Sequence, residues 1–527
     1  MQNMKKNRIQ TITKGMLALL ALFALNTNCS DEILNQSNPN ILSPASFWQT
    51  ADDAKKGIIG AYSPFVAITY YSRFEVFLSD YRDDVVNGYN TSDRTAAGYF
   101  SATADRNAPR WTWEAQYRGV ARANDVLFNV PNIDMDATDK ENILGEAYFI
   151  RAYNYFQLLN NFLNVPLITV PIAQIEAPDL LPQAPPASVW AQIEEDLKMA
   201  QSKLPAAWPA DDLGRVTIGS ATGMLGKIYL YQGKYAEAKA EFAKVMDGSY
   251  ELMDDYAHNF TEEFENNKES LFEIQLVADG NQGWGADNAN SGSGSAYQAD
   301  LAPVGYTNQN TMRVNQWALD LFLDEQTTNG EVDPRTYTTF FWNYQDSTQY
   351  QGKFLKSRTY LNVSYGDAYD PSETTIYGNK YADWECNGQS QSRDGGWHAS
   401  GNNLRILRYA DILLMFAEAE FMLNGSTQAA LDAINAVRAR VDLAPHTSIT
   451  MQDIDDERVK EMTFERTRYF DLLRWGRVKS RIVDNPEFKS ESGGTGSYKP
   501  GREYLAIPLT ELDGNNNDEG FKQNPGY

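Results

Sequence analysis

Three histidines (His258, His398, His446) and two cysteines (Cys29, Cys386) are the whole supply of soft ligands, thiols and near-neutral bases in this 527-residue chain, and neither type clusters. That argues against a zinc site built on His and Cys and against a disulfide framework, and each isolated histidine reads as a surface or loop residue rather than a base. The motifs His-Glu-x-x-His, Gly-x-Ser-x-Gly, Gly-x-Gly-x-x-Gly and Gly-x-x-x-x-Gly-Lys do not occur, so the commonest hydrolase, dinucleotide and nucleotide machines lack their signatures. The densest acids near loops are Asp80, Asp83 and Asp84. A glycoside hydrolase needs two carboxylates about 5 Å or about 6.5–9.5 Å apart, but a solvated turn explains this trio more simply. The run Asp513 to Asp518 has oxygen ligands without the glutamate of an EF-hand loop. No catalytic residue, metal or cofactor is assigned.

What the chain has in quantity is aromatic side chains in the wrong places for a helix. Residues 341–402 hold Trp342, Tyr344, Tyr350, Tyr360, Tyr365, Tyr369, Tyr377, Tyr381, Trp384 and Trp397 among Asp, Asn, Gln, Ser and Gly. Residues 278–311 are a Gly, Asn and Ser tract around Trp284. Loops longer than about 15 residues in compact domains are usually functional or disordered, and this aromatic density argues against disorder.

These segments need a scaffold, and the helical periodicity supplies one. Leu225, Gly226, Tyr229, Gly233, Tyr235, Ala238, Phe242 and Val245 fall at the register of a tetratricopeptide helix pair. A weaker copy runs through Ala417, Phe421, Gly425, Ala430, Ile434 and Val437. The spacing of apolar residues predicts helices over 46–66, 110–130, 139–162, 186–203, 216–247, 312–325, 404–424, 427–441 and 452–477. The expected fold is mainly α: a scaffold of tetratricopeptide-like helical pairs, about 46–247 and 404–477, interrupted by loop-rich insertions at about 278–311 and 341–402, all in one domain spanning 46–527. Within it, Glu465, Arg468, Asp471 and Arg474 alternate in sign at i, i+3 and read as a structural ladder along one helix. Arg151, Arg408 and Arg438 read as anchors of helix ends or loop carbonyls.

The N-terminus speaks to destination. Lys5, Lys6, Arg8 and Lys14 precede a ten-residue apolar run, Met16 to Leu25, too short for the ~20 residues that span a bilayer and fitting a secretory signal over 1–28. Cys29 follows where a lipoprotein signal is cut and the thiol acylated, although Leu25 stands four residues before it and Asn28 adjoins it. Residues 29–45 then read as the acylated N-terminus and a polar tether. The whole chain carries −24, from 46 Lys+Arg and 70 Asp+Glu. Without its first 28 residues the charge is −28, which makes nucleic acid and anionic lipid poor partners.

A set of short motifs in order along the chain resembles the SusD/RagB family of outer-membrane lipoproteins of the Bacteroidetes. They include Phe47-Trp48, Gly60-Ala61-Tyr62, Glu146 to Ala152, Val165-Pro166-Leu167, Leu407 to Asp411, Ile434 to Arg438, Phe464-Glu465, Arg474-Trp475, Ile507-Pro508 and Gln523 to Tyr527. Ser30-Asp31-Glu32 resembles the acidic export tag of surface lipoproteins in that group. The resemblance implies surface display by a lipid on Cys29, location at the outer membrane, non-catalytic capture of a glycan, and partnership with a TonB-dependent transporter of the SusC type. The lipobox is the element that departs.

Glycan capture calls for flat aromatics that stack on the C–H face of a sugar and amide or acid side chains that meet its hydroxyl rim. Trp284, Trp342, Trp384 and Trp397, with Tyr344, have such surroundings, and Tyr297, Tyr99 and Tyr89 are second-rank candidates. For any one of them a core or loop-anchoring place competes with the stacking role. Trp48, Trp111, Trp113, Trp317 and Trp475 lie in helix patterns and are assigned to packing. The expected ligand is a neutral oligo- or polysaccharide, and the other readings are a peptide or protein-ligand receptor on a helical-repeat groove and a glycoside hydrolase.

Overall fold

The computed structural model describes residues 47–88, 93–277, 294–303, 312–343, 365–370, 372–381, 400–485, 496–516 and 519–527. The signal segment, Cys29 and the tether lie outside them, as does Cys386. No helix among the described residues is long and apolar enough to cross a membrane.

Helices form where the periodicity places them, and many begin on a capping side chain. α1 (Ala51–Tyr62) starts from a reciprocal Thr50–Asp53 capping box, α2 covers Asn107–Asn129, and α3 (Ala137–Phe162) is capped by Asp136, which accepts from the N–H groups of Thr138 and Asp139. α4 (Pro186–Lys203) has proline in its first turn, where a missing N–H costs nothing. α5 (Ile218–Tyr231) and α6 (Tyr235–Val245) form the helix pair read from the repeat. A Cβ on Gly226 would lie 2.5 Å from the Phe242 ring, so glycine is what lets α6 seat its aromatic against α5. With α7 (Gln316–Leu323), α8 (Tyr409–Asn424), α9 (Gln428–Arg440), α10 (Met451–Met462) and α11 (Arg468–Arg474) are the remaining α-helices of seven or more residues among the described residues.

Each helix from α1 to α6 packs on the next, and α6 then packs on α8, which packs on α9. The helical stack is therefore continuous in space although residues 246–408 intervene in sequence. The chain is mostly helical, as the periodicity predicts.

Three expected helices are shorter than their patterns. Residues 312–325 begin as a strand, β3 (Met312–Val314), before α7. Residues 404–424 begin as β6 (Leu404–Arg408), whose two arginines, three residues apart, also fit one side of a helix. The stretch 452–477 breaks between α10 and α11, where Phe464 (φ 65°) and Arg466 (φ 62°) adopt left-handed backbone. β6 pairs antiparallel with β2 (Ser270–Ile274). A second sheet has the order β1-β3-β5-β4, with β1 Val86–Gly88, β4 Phe340–Phe341 and β5 Tyr377–Gly378.

That break corrects the ladder. Only Asp471 and Arg474 pair along one helix, at 2.9 Å. Glu465 instead accepts from Arg408 Nε (2.7 Å) and Lys380 Nζ (2.5 Å), and Arg468 grips Asp84 (2.8 Å) and Asp455. The charges are architectural, but they join elements far apart in sequence. Arg335, Arg408 and Arg440 all converge on buried Glu461. Burial alone would raise that carboxyl; the three guanidiniums outweigh it and hold the pKa well below the usual range. Arg458 joins α10 to Asp411 of α8 and Asp471 of α11, each at 2.8 Å, while Arg151 joins α3 to Asp196 of α4 and donates to the Thr169 carbonyl.

Candidate functional site

Five of the aromatic candidates, Trp284, Trp384, Trp397, Tyr344 and Tyr89, lie outside the described residues. The described residues that flank four of them, all but Tyr344, are brought together by strand pairing and a bridge. Antiparallel pairing of Gly88 with Met312 brings the end of β1, just before Tyr89, beside the start of β3. Arg313 pairs with Tyr377 and Phe340 with Gly378, so the chain leaves β5 toward 382–399 at that same end of the sheet. From β4 it runs toward 344–364 at the opposite end, and the amide of Asn343 donates to the Glu373 carbonyl (3.1 Å) on the far side of that segment. The ends of 278–293 and 382–399 are tied twice: Ser295 and Ser400 exchange backbone hydrogen bonds at 2.8 and 2.9 Å, and Leu276 N–H donates to Asn403 Oδ1 at 2.7 Å. The described ends that flank residues 278–293 and 382–399 thus meet at the Ser295–Ser400 bridge, and the ends of β1 and β5 share one end of the sheet, while β4 leaves at the other.

The other three candidates are corrected by their burial. Trp342, Tyr297 and Tyr99 are 4%, 0% and 4% exposed, so none offers a ring face to a ligand. Each is instead a support beneath a root. Tyr99 donates to the Gly88 carbonyl (2.6 Å) at the end of β1. Trp342 stacks on half-buried Tyr337 at 5.9 Å between centroids. Tyr297 donates to Asp80 Oδ2 (2.7 Å), packs edge-on against Tyr381 at 5.4 Å and lies 4.5 Å under the Arg466 guanidinium. Sequence reading also passed over Tyr369, which is half-buried at the sheet, 4.8 Å from Tyr365 and 5.8 Å from Tyr377. Its place in the same aromatic run was the available signal.

The acids are corrected as well. Asp80, Asp83 and Asp84 are buried, not a solvated turn. Asp80 accepts from Tyr297 and from the Arg466 backbone N–H (3.0 Å), and burial raises its pKa. Asp83 accepts from the N–H groups of Val85 and Val86. Asp84 binds Arg468 and Arg481, which overcome its burial and hold it below the ordinary carboxylate range. All three are spent on structure. No group of three or more metal-ligating side chains occurs among the described residues.

Two open concavities lie elsewhere. One, of about 820 Å³, runs between α4, α5 and β2 and includes Trp208, Arg215 and Tyr250. The other, of about 540 Å³, is an apolar groove along α2 with Trp113, Tyr117, Ile168 and Phe521.

Comparison with known proteins agrees over both halves of the chain. Residues 268–527 match a family model described as the SusD family, and residues 36–230 match one described as starch-binding associating with outer membrane, SusD-like. SusD-like protein P25 of Formosa agariphila is 26% identical, covering 96% of this chain and 97% of that protein. A SusD superfamily crystal structure from Bacteroides vulgatus superposes with a TM-score of 0.77 at 25% identity, over 91% of this chain and all of that one. A structure described as a laminarin-binding SusD-like protein gives 0.72 at 28% identity with the same coverage. The chain belongs to the SusD/RagB family.

Proposed function

From membership of the SusD/RagB family we propose that the chain is a non-catalytic, cell-surface glycan-binding protein. In this reading the loops rooted on the β1-β3-β5-β4 sheet and the Ser295–Ser400 bridge carry the stacking rings, with Trp284, Trp384 and Trp397 foremost and Tyr344, Tyr89 and Tyr369 beside them. The observation that carries it is the 28% identical laminarin-binding relative, aligned over 91% of this chain; the convergence of the loop roots supplies a place for such a ligand. The three densest acids are locked in hydrogen bonds and ion pairs, which favours binding over hydrolysis.

Acylation at Cys29 would hold the protein on the outer membrane, and a SusC-like TonB-dependent barrel would take the glycan inward. Screening the protein against polysaccharides, including laminarin and starch, and against peptides, with reducing ends assayed in parallel, tests the reading. Binding of a polysaccharide without release of reducing ends is expected. Peptide binding alone would favour a helical-groove receptor, and release of reducing ends would make the protein an enzyme.

A further inference from the structure

Arg466 is 7% exposed, yet none of its three guanidinium nitrogens makes a hydrogen bond to another protein group. A buried donor left in this state loses its hydration without replacement, more so when charged, and native interiors rarely tolerate it. The guanidinium lines a small pocket of about 30 Å³ with Glu75, Gln157, Thr467, Tyr71 and Tyr153, and Lys227 and Glu465 line it too. Three further lining atoms are buried without a hydrogen bond: Glu75 Oε2, Gln157 Oε1 and Thr467 Oγ1. Glu75 Oε2 lies 3.2 Å from Arg466 Nε but out of line for a hydrogen bond. The cavity sits where the scaffold, through Tyr153 and Gln157 of α3, meets the loop support, because the Arg466 guanidinium also covers Tyr297.

We propose that this cavity is a hydration site holding two ordered water molecules that bond Arg466 to Glu75, Gln157 and Thr467. The arithmetic is tight. One water needs about 10–15 Å³ of such volume and makes about three hydrogen bonds, so 30 Å³ admits two waters with about six bonds, and six protein atoms await partners. The two cations that line the pocket, Arg466 and Lys227, are matched by Glu465 in the lining and by Asp411 on Lys227, so the charge balance does not call for an anion. Neutral molecules that both donate and accept suit a lining of three donor nitrogens carrying five N–H groups, two acceptor oxygens and a hydroxyl that can do either. Burial also pushes the Glu75 carboxyl up to about 8, which gives it a proton to donate in turn. Through these waters the loop support is fastened to the helical stack.

A crystal structure of the protein at better than about 1.8 Å is the direct test, with a sodium bromide soak and the near-isosteric Thr467→Val variant alongside. Two density peaks within hydrogen-bonding distance of the Arg466 nitrogens, without anomalous signal, are expected in the wild type. Thr467→Val should lose or displace one peak and lower Tm. Absent density would overturn the proposal, an anomalous bromide peak would replace water by an anion, and an unchanged pair of peaks in Thr467→Val would overturn the assigned partners.

Discussion

At the residue scale, a ring that stacks on a ligand and a ring buried in the fold should respond differently to truncation. A ring that holds a sugar by its face should cost about 1–3 kcal/mol when removed, a five- to hundredfold loss of affinity, by analogy with aromatic anchors at other interfaces. Trp284→Ala, Trp384→Ala or Trp397→Ala is expected to show that loss with little change in stability. Buried Trp342 and Tyr297 should behave oppositely: truncation to Ala opens a cavity costing about 3–5 kcal/mol and lowers Tm. Parallel calorimetric titrations and melting curves separate the two classes. Glu75 gives a pH signature of its own. With its native pKa raised to about 8 by burial, the native state keeps a proton that the unfolded chain sheds near 4.5, so this group's stabilisation is full below about 4.5 and is lost as pH rises toward 8. Glu75→Gln should therefore melt with a smaller fall in Tm between pH 5 and 8 than the wild type; an unchanged fall would show that the carboxyl titrates normally.

At the element scale, the helical scaffold was legible because period 3.6 and the Leu225-Gly226 to Phe242 pattern are local properties of the chain. What escaped were features set by distant partners. Residues 404–408 became a strand because Ser270–Ile274 lies alongside, and the helix expected over 452–477 breaks at Phe464 and Arg466, where left-handed backbone turns Glu465 toward Arg408. No spacing rule reveals a partner 57 residues away. The aromatic loops were legible as positions, but burial of Tyr99, Tyr297 and Trp342 depends on the surrounding fold. The Glu461 hub has a measurable consequence. Arg408→Ala would leave Glu461, Glu465 and Glu269 buried with fewer cations, and breaking one side of such a pair costs about 3–5 kcal/mol. Chemical denaturation should show that loss, whereas removing the exposed Lys56–Asp52 pair should change stability by less than about 1 kcal/mol.

At the scale of the whole molecule, the proposal has the chain anchored at its N-terminus and handing its sugar to a separate transporter. If Cys29 is the anchor, radiolabelled fatty acid should mark the wild type and not Cys29→Ala, and equal labelling of the two would remove the anchor from the proposal. Protein solubilised gently from membranes is expected to bring a TonB-dependent barrel with it, so recovery of this chain alone from cells growing on its glycan would count against a shared ligand site.

The claim on which the rest depends is the proposal that tryptophans in the segments between the small sheet and the Ser295–Ser400 bridge hold a glycan. It is tested most directly by titrating the unacylated mature chain and its Trp284→Ala, Trp384→Ala and Trp397→Ala variants with a polysaccharide that the screen identifies. Saturable binding by the wild type, weakened five- to hundredfold in at least one variant, is the expected result. Wild-type affinity in all three variants, or no binding to any polysaccharide in the screen, would contradict it.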